Sequence, residues 1–239
     1  MLTVPILDAD DPRIAAYREV RERDVAGREG GFIVEGEVVL RTAIRSARHR
    51  LDSVLLAEKR ADRLAGMLEG LPPETPVYVA PQQVLDGIVG FHIHRGILAH
   101  GRRAPAVSVG TLIGGLGETA LVLALFGIGN HDNMGGAFRN AAAFGADAVL
   151  LDPGCCDPLY RKAIRVSVGA ALATPFARFE EDEDPIATLK AAGLEPIALS
   201  PQGETPLSRL IPPARAALLL GSEGPGLPEA LLARCRTVS

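Results

Sequence analysis

Two short polar turns carry the residues whose types and spacing could do chemistry. The first is Gly129-Asn130-His131-Asp132-Asn133. It stands between an apolar run of strand length, Ala120 to Phe126, and a stretch from Met134 to Phe144 whose small and apolar residues suit a helix. Gly135 and Gly136 fall in the first turn of that helix, where backbone can come close to a ligand. The second turn, Gly221-Ser222-Glu223-Gly224-Pro225-Gly226-Leu227-Pro228, follows another apolar run and holds three glycines, which let backbone N–H groups face a bound molecule. It is neither a Walker A loop nor a GxGxxG at the start of a βαβ unit. His92 and His94 would share a face in a strand and could hold a metal, but no third ligand is near them, so no metal is expected. Cys155, Cys156 and Cys235 have no zinc-ligand spacing and read as small buried or half-buried residues.

The elements that must position these turns alternate in type along the chain. In the first hundred residues the pattern predicts a charged helix opening at Asp11-Pro12 and running to about Asp24, then a strand at Phe32 to Val34 and a helix at Val38 to Ala47. Strands at Leu51 to Ala57 and Pro76 to Ala80 alternate with helices at Ala61 to Leu71 and Pro81 to Val89. Arg102 to Pro105 reads as the start of a linker. Strands and helices alternate again in the second half, which predicts a parallel α/β sheet with Leu121-Val122-Leu123, Val149-Leu150-Leu151 and Leu218-Leu219-Leu220 as fully buried strands. In such sheets ligands bind beyond the carboxyl ends of the strands, where both polar turns fall.

Composition bounds the class. At 239 residues and 47% hydrophobic, with 4% aromatic residues and no Trp, the chain can fill a sizeable core built from Ala, Leu, Val and Ile. Residues 1–105 carry 15 basic and 15 acidic side chains, and the whole net charge of -4 falls in the remainder. Arg41, Arg45, Arg48 and Arg50 nevertheless cluster on and just after one predicted helix, either as a solvated face or as contacts for RNA phosphates. No apolar stretch approaches the ~20 residues that cross a bilayer, and the acidic first segment does not read as a signal peptide. A cytoplasmic setting with no membrane partner is expected.

Four segments then stand in a telling order: Asn133-Met134-Gly135-Gly136-Ala137-Phe138-Arg139-Asn140-Ala141, Phe144-Gly145-Ala146-Asp147, Arg165-Val166-Ser167-Val168-Gly169-Ala170, and Leu220-Gly221-Ser222-Glu223-Gly224-Pro225-Gly226-Leu227. They resemble the ordered motifs of the SPOUT methyltransferases, and within them the SpoU (TrmH) class of RNA ribose 2′-O-methyltransferases. The resemblance implies an α/β fold, a SPOUT-type parallel sheet with a C-terminal trefoil knot over residues 119–239. The first 103 residues resemble the L30e-like α/β domain that often precedes it as an RNA-binding module, with an N-terminal helical extension and residues 104–118 as linker. The implied activity is S-adenosylmethionine-dependent methylation of a ribose 2′-hydroxyl in structured RNA, rRNA or tRNA, by a homodimer. The alternative is a catalytically inactive RNA-binding homodimer of the same fold.

The resemblance assigns roles by position. Asn133, Arg139 and Glu223 would form the reaction centre, and Ser200, Leu220, Gly221, Glu223 and Gly226 the cofactor site, with Arg41, Arg45, Arg48 and Arg139 meeting RNA. Arginine holds its proton above about pH 12, so Arg139 is a better phosphate grip than a general base, though both roles stay open. Asn133 could orient the ribose or cap the following helix. Glu223 could neutralise Arg139 or accept backbone donors. Ser167 and Gly169 read as packing residues that let a helix approach the sheet. Family members continue beyond the position of Val238-Ser239 with a strand and helix that complete the pocket and the knot, so the knot-forming tail is expected to be missing from this chain.

Overall fold

The computed structural model describes residues 2–18, 30–89, 96–203 and 205–239. In chain order its strands and helices are β1 (Leu2–Pro5), β2 (Gly31–Glu35), α1 (Glu37–Ser46), β3 (Arg50–Ala57), α2 (Glu58–Leu68), β4 (Pro76–Ala80), α3 (Gln82–Val89) and β5 (Ile97–Arg102). There follow α4 (Val109–Gly114), β6 (Ala120–Leu125), α5 (His131–Ala143), β7 (Ala148–Leu151), α6 (Arg161–Val166), α7 (Ala170–Ala173), β8 (Phe176–Arg178), α8 (Pro185–Ala191), β9 (Glu195–Leu199), β10 (Arg215–Leu220), α9 (Glu229–Leu232) and β11 (Arg236–Val238). The chain forms two compact units, one of residues 1–104 with 157–173 and one of 105–156 with 174–239.

The first unit is built on a five-stranded sheet of order β1-β4-β3-β5-β2. β1, β4 and β3 run parallel, while β5 is antiparallel to both its neighbours. β1 was not expected from its sequence; its four residues are too few to show a period. The predicted N-terminal helix is a 3-10 helix, Pro12–Tyr17, with Asp11 accepting from the Arg13 N–H at its start; the rest of that prediction, like His92 and His94, lies outside the described residues. Ile14 and Tyr17 enter the core with Ile6, Ile33, Leu55 and Leu98, and the Tyr17 hydroxyl meets Ser53 Oγ at 2.7 Å, satisfying both buried polar groups. Residues 157–173 complete this unit, α6 against β2 and α7 against α1. Gly169, with φ +86, lets the chain approach a helix: a Cβ there would lie 3.0 Å from Thr42 Cβ on α1. Its neighbour is therefore α1, where a sheet was expected.

The second unit is a parallel six-stranded sheet of order β11-β9-β10-β6-β7-β8. Val122, Ala124, Ala217 and Leu219 point into a core shared with Ile186 and Leu189 of α8. Val109 and Ile113 of α4 are buried in the same core, so a helix occupies part of the expected linker. β7 is buried on both faces. β6 and β10 are not: Leu121, Leu123, Leu218 and Leu220 are half-buried, because this side of the sheet has a small cover around Ile197, Ala216 and Val238. From β6 the chain steps to β7 and β8 on one side, and β10 and β9 fill the other. The carboxyl ends of β6 and β10 thus flank the point where strand order reverses, the usual place for a ligand crevice.

Candidate active site

The loop after β6 leads directly into α5. The helix begins at His131, three residues before the expected Met134, because Asn130 is its N-cap: the Asn130 carboxamide oxygen accepts from the Asp132 N–H at 2.8 Å. Asn133 is thereby a first-turn residue and not the cap, which leaves its side chain for another partner. Met134, Phe138 and Ala141 bury one face of α5. Asn133, Gly136 and Arg139 follow at intervals of three along the exposed side. Nothing lies within 4 Å of the point where a Gly136 Cβ would stand. Arg139 is exposed and makes no hydrogen bond or ion pair with another described residue.

The loop after β10 shapes itself with backbone. Gly226 N–H donates to the Ser222 carbonyl at 3.0 Å, and Gly224 and Gly226 take φ of +90 and +72, values that suit glycine. At Gly221 the limit is space: a Cβ would collide with the Gly226 carbonyl and Leu227 N. The two loops meet twice. A Cβ on Gly127 would lie 3.5 Å from Ser222 Cβ, and Asn133 Nδ2 donates to Glu223 Oε2 at 3.1 Å. Glu223 is therefore partnered by Asn133 and not by Arg139.

Beside them is a cavity of about 580 Å³ between the ends of β9 and β10. Of the residues expected at a cofactor site, Ser200, Leu220, Gly221 and Gly226 line it, and Glu223 does not. Ser200, buried at the end of β9, donates from Oγ to Gln202 Oε1 at 2.9 Å. Sequence reasoning missed Gln202, Ser222 and Leu227 in the lining. Gln202 carried a usable signal, since it follows a parallel strand by three residues. Burial pushes the Cys155 thiol up to about 12, so it is no nucleophile at neutral pH. Among the described residues no group of three His, Cys, Asp or Glu could hold a metal, and no helix is long and apolar enough to cross a membrane.

Of the arginines expected to meet RNA, Arg139 lies on α5 in the second unit, and Arg41, Arg45 and Arg48 lie in the first. Arg41 and Arg45 are exposed on α1, Arg41 pairing with Glu37 at 2.8 Å, and Arg48 is half-buried, which lowers its pKa. Next to it His49 is buried, its pKa lowered to about 4 by desolvation and then by Arg48 and Arg103, and its Nδ1 accepts from the Ala104 N–H at 3.0 Å.

Residues 120–239 match the model of the SpoU rRNA Methylase family. The chain belongs to that family. An uncharacterized tRNA/rRNA methyltransferase of Mycobacterium bovis is 36% identical over 235 residues, covering 95% of this chain and 80% of the relative. Among solved structures, an AdoMet-bound rRNA methyltransferase from Sinorhizobium meliloti has a TM-score of 0.79 at 18% identity, covering 99% of this chain and 89% of that one. An RNA 2′-O ribose methyltransferase has a TM-score of 0.72 at 23% identity, covering 98% and 88%. Both share the fold. The parallel sheet of the second unit is thus that of a SPOUT methyltransferase, and the chain is an enzyme of the RNA methyltransferase kind.

Proposed function

We propose that this chain uses S-adenosylmethionine to methylate a ribose 2′-hydroxyl in structured RNA, rRNA or tRNA. The observation that carries the reading is the pairing of Asn133 with Glu223, which joins the motif helix to the glycine loop at the edge of the cavity. The cavity fits the cofactor: about 580 Å³ lies within the roughly 300–1,000 Å³ of small-molecule sites, and its lining mixes leucines with Ser200, Gln202 and the backbone of a glycine loop. The cofactor supplies a methyl group already activated for transfer, so the protein's task is alignment and help with the hydroxyl proton. Arg139, which pairs with no other described residue, grips the phosphate beside the target ribose and lowers the cost of ionising its hydroxyl. Asn133, held by Glu223, orients the ribose.

In the first unit, the exposed Arg41 and Arg45 with Arg48 hold the RNA, which makes residues 1–103 the substrate domain. The half-buried leucines 121, 199 and 218 suit a homodimer that covers this face of the second sheet. Three free thiols fit a reducing cytoplasm.

The test is transfer of a labelled methyl group to total RNA, followed by digestion to nucleosides. Label on 2′-O-methylnucleosides is expected, with Arg139→Ala reducing the rate by at least about 10²-fold, as for loss of one charge-stabilising group. Label on a base would overturn the ribose assignment. RNA binding without transfer would favour the inactive alternative.

A further inference from the structure

Arg178, the last residue of β8, is absent from every motif quoted above, yet its guanidinium holds a whole loop. Nη1 donates to the carbonyls of Asp152 at 2.6 Å, Cys155 at 2.9 Å and Pro153 at 3.2 Å, and Nη2 to that of Cys156 at 3.4 Å. Nη1 has two N–H groups for three carbonyls, so one of them is shared, and Nη2 reaches the fourth, a spread of contacts that the planar guanidinium fork allows. The described residues give Arg178 no carboxylate partner, so its charge is spent on backbone.

The loop it gathers in turn holds the loop after β6. Asp152 Oδ1 accepts from the Gly127 N–H at 3.0 Å, and Asp152 N–H donates to the Leu125 carbonyl at 2.9 Å. Ile128 is taken at both ends, its carbonyl by the Cys156 N–H at 2.8 Å and its N–H by Cys155 Sγ at 3.4 Å. Two residues later Asn130 caps α5, and Asn133 in the first turn meets Glu223. Hydrogen bonds therefore lead from Arg178, through residues 152–156, to Gly127 and Ile128, and two residues of chain carry on to the start of the helix that bears Asn133 and Arg139.

We propose that Arg178 is a positioning residue for methyl transfer: by fixing residues 152–156 it sets the loop after β6, and with it the place of Asn133 and Arg139 relative to the glycine loop. It touches no reactant. The proposal rests on the methyltransferase reading for its kinetic part and on the structure alone for its mechanical part, and the experiment separates the two.

Arg178→Met and Arg178→Lys are compared with the unaltered chain by hydrogen exchange at single amides and by steady-state methyl transfer. In Arg178→Met the amides of Gly127, Ile128 and Cys156 are expected to exchange at least tenfold faster, while Leu218 and Leu219 in β10 keep their protection. kcat falls by about 10²-fold, the size expected when reacting groups are misplaced by about an ångström, and KM for S-adenosylmethionine stays within about threefold. Arg178→Lys, which keeps charge and length but loses the fork, recovers part of both. Unchanged exchange at Gly127 and Ile128 would overturn the proposal, as would a uniform loss of protection that included β10, which marks a merely structural residue. If the unaltered chain transfers no methyl group, the methyltransferase reading fails, while faster exchange confined to these amides still supports the brace.

Discussion

The loops after β6 and β10 leave neighbouring parallel strands at the same edge of one sheet, yet they are held by opposite means. The β6 loop is fixed from outside, by Asp152, Cys155 and Cys156 and through them by Arg178. The β10 loop is fixed from inside, by a Ser222–Gly226 backbone bond and by glycines whose missing side chains let the chain fold on itself. The difference matches what the proposed function asks of each. A loop that aims side chains at a reacting atom must have its place set by the scaffold, whereas one that wraps a ligand needs a particular backbone shape.

The largest effect should come from the shape of the β10 loop. In Gly221→Ala the new methyl collides with backbone on the opposite limb, which no rotamer change can relieve. A loss of about 10²-fold in S-adenosylmethionine affinity is expected by calorimetry, about 3 kcal/mol, the upper part of the usual overpacking cost. Gly224→Ala is the control, because Gly224 has positive φ but open space and incurs only backbone strain, about 1 kcal/mol. Equal losses at the two positions would show that conformation, and not close approach, shapes the loop.

The join between the loops comes next in size. Asn133→Ala removes the donor to Glu223 and should lower kcat/KM by about tenfold, while Glu223→Gln keeps an acceptor oxygen and should stay within about threefold. A double-mutant cycle between Asn133→Ala and Glu223→Ala should return a coupling of about 1 kcal/mol. Additive losses would mean the two loops work independently.

Much of this arrangement is legible in the sequence, and the exceptions share a cause. Apolar runs located β6, β7 and β10 in the middle of the second sheet, because a buried parallel strand needs little besides length and hydrophobicity. They could not say that Leu121 and Leu218 would be only half-covered, since cover depends on what packs across the sheet. Asn130 and Asn133 are equally good caps by residue type, and only the backbone path from β6 decides between them. The Arg165 to Ala170 motif predicted close packing but not its partner: the surface that receives Gly169 is Thr42, more than a hundred residues earlier. Arg178 left no signal, because an arginine closing a short strand looks like a solvated end until the four carbonyls around it are seen. The motif residues were recognisable because their own chemistry restricts them; the groups that brace them are restricted only by distant backbone.

The smallest effect tests the comparison most finely, because it should move stability and activity in opposite directions. Gly136 lies inside α5 with helical geometry and open space around it, so nothing in the fold requires a glycine there. A helix-interior Gly→Ala replacement should stabilise the protein by about 0.5–1 kcal/mol, through the unfolded chain's lost freedom and the better helix propensity of alanine. Yet Gly136 lies between Asn133 and Arg139 on the face proposed to meet RNA, where an added methyl would hold the ribose away from both. Gly136→Ala should therefore raise the denaturation midpoint while lowering kcat/KM by a few-fold, with S-adenosylmethionine affinity unchanged. If activity rises or holds along with stability, the exposed face of α5 is not where substrate backbone or sugar comes close, and the division of labour between a braced, reactive loop and a self-shaped, ligand-wrapping one has to be redrawn.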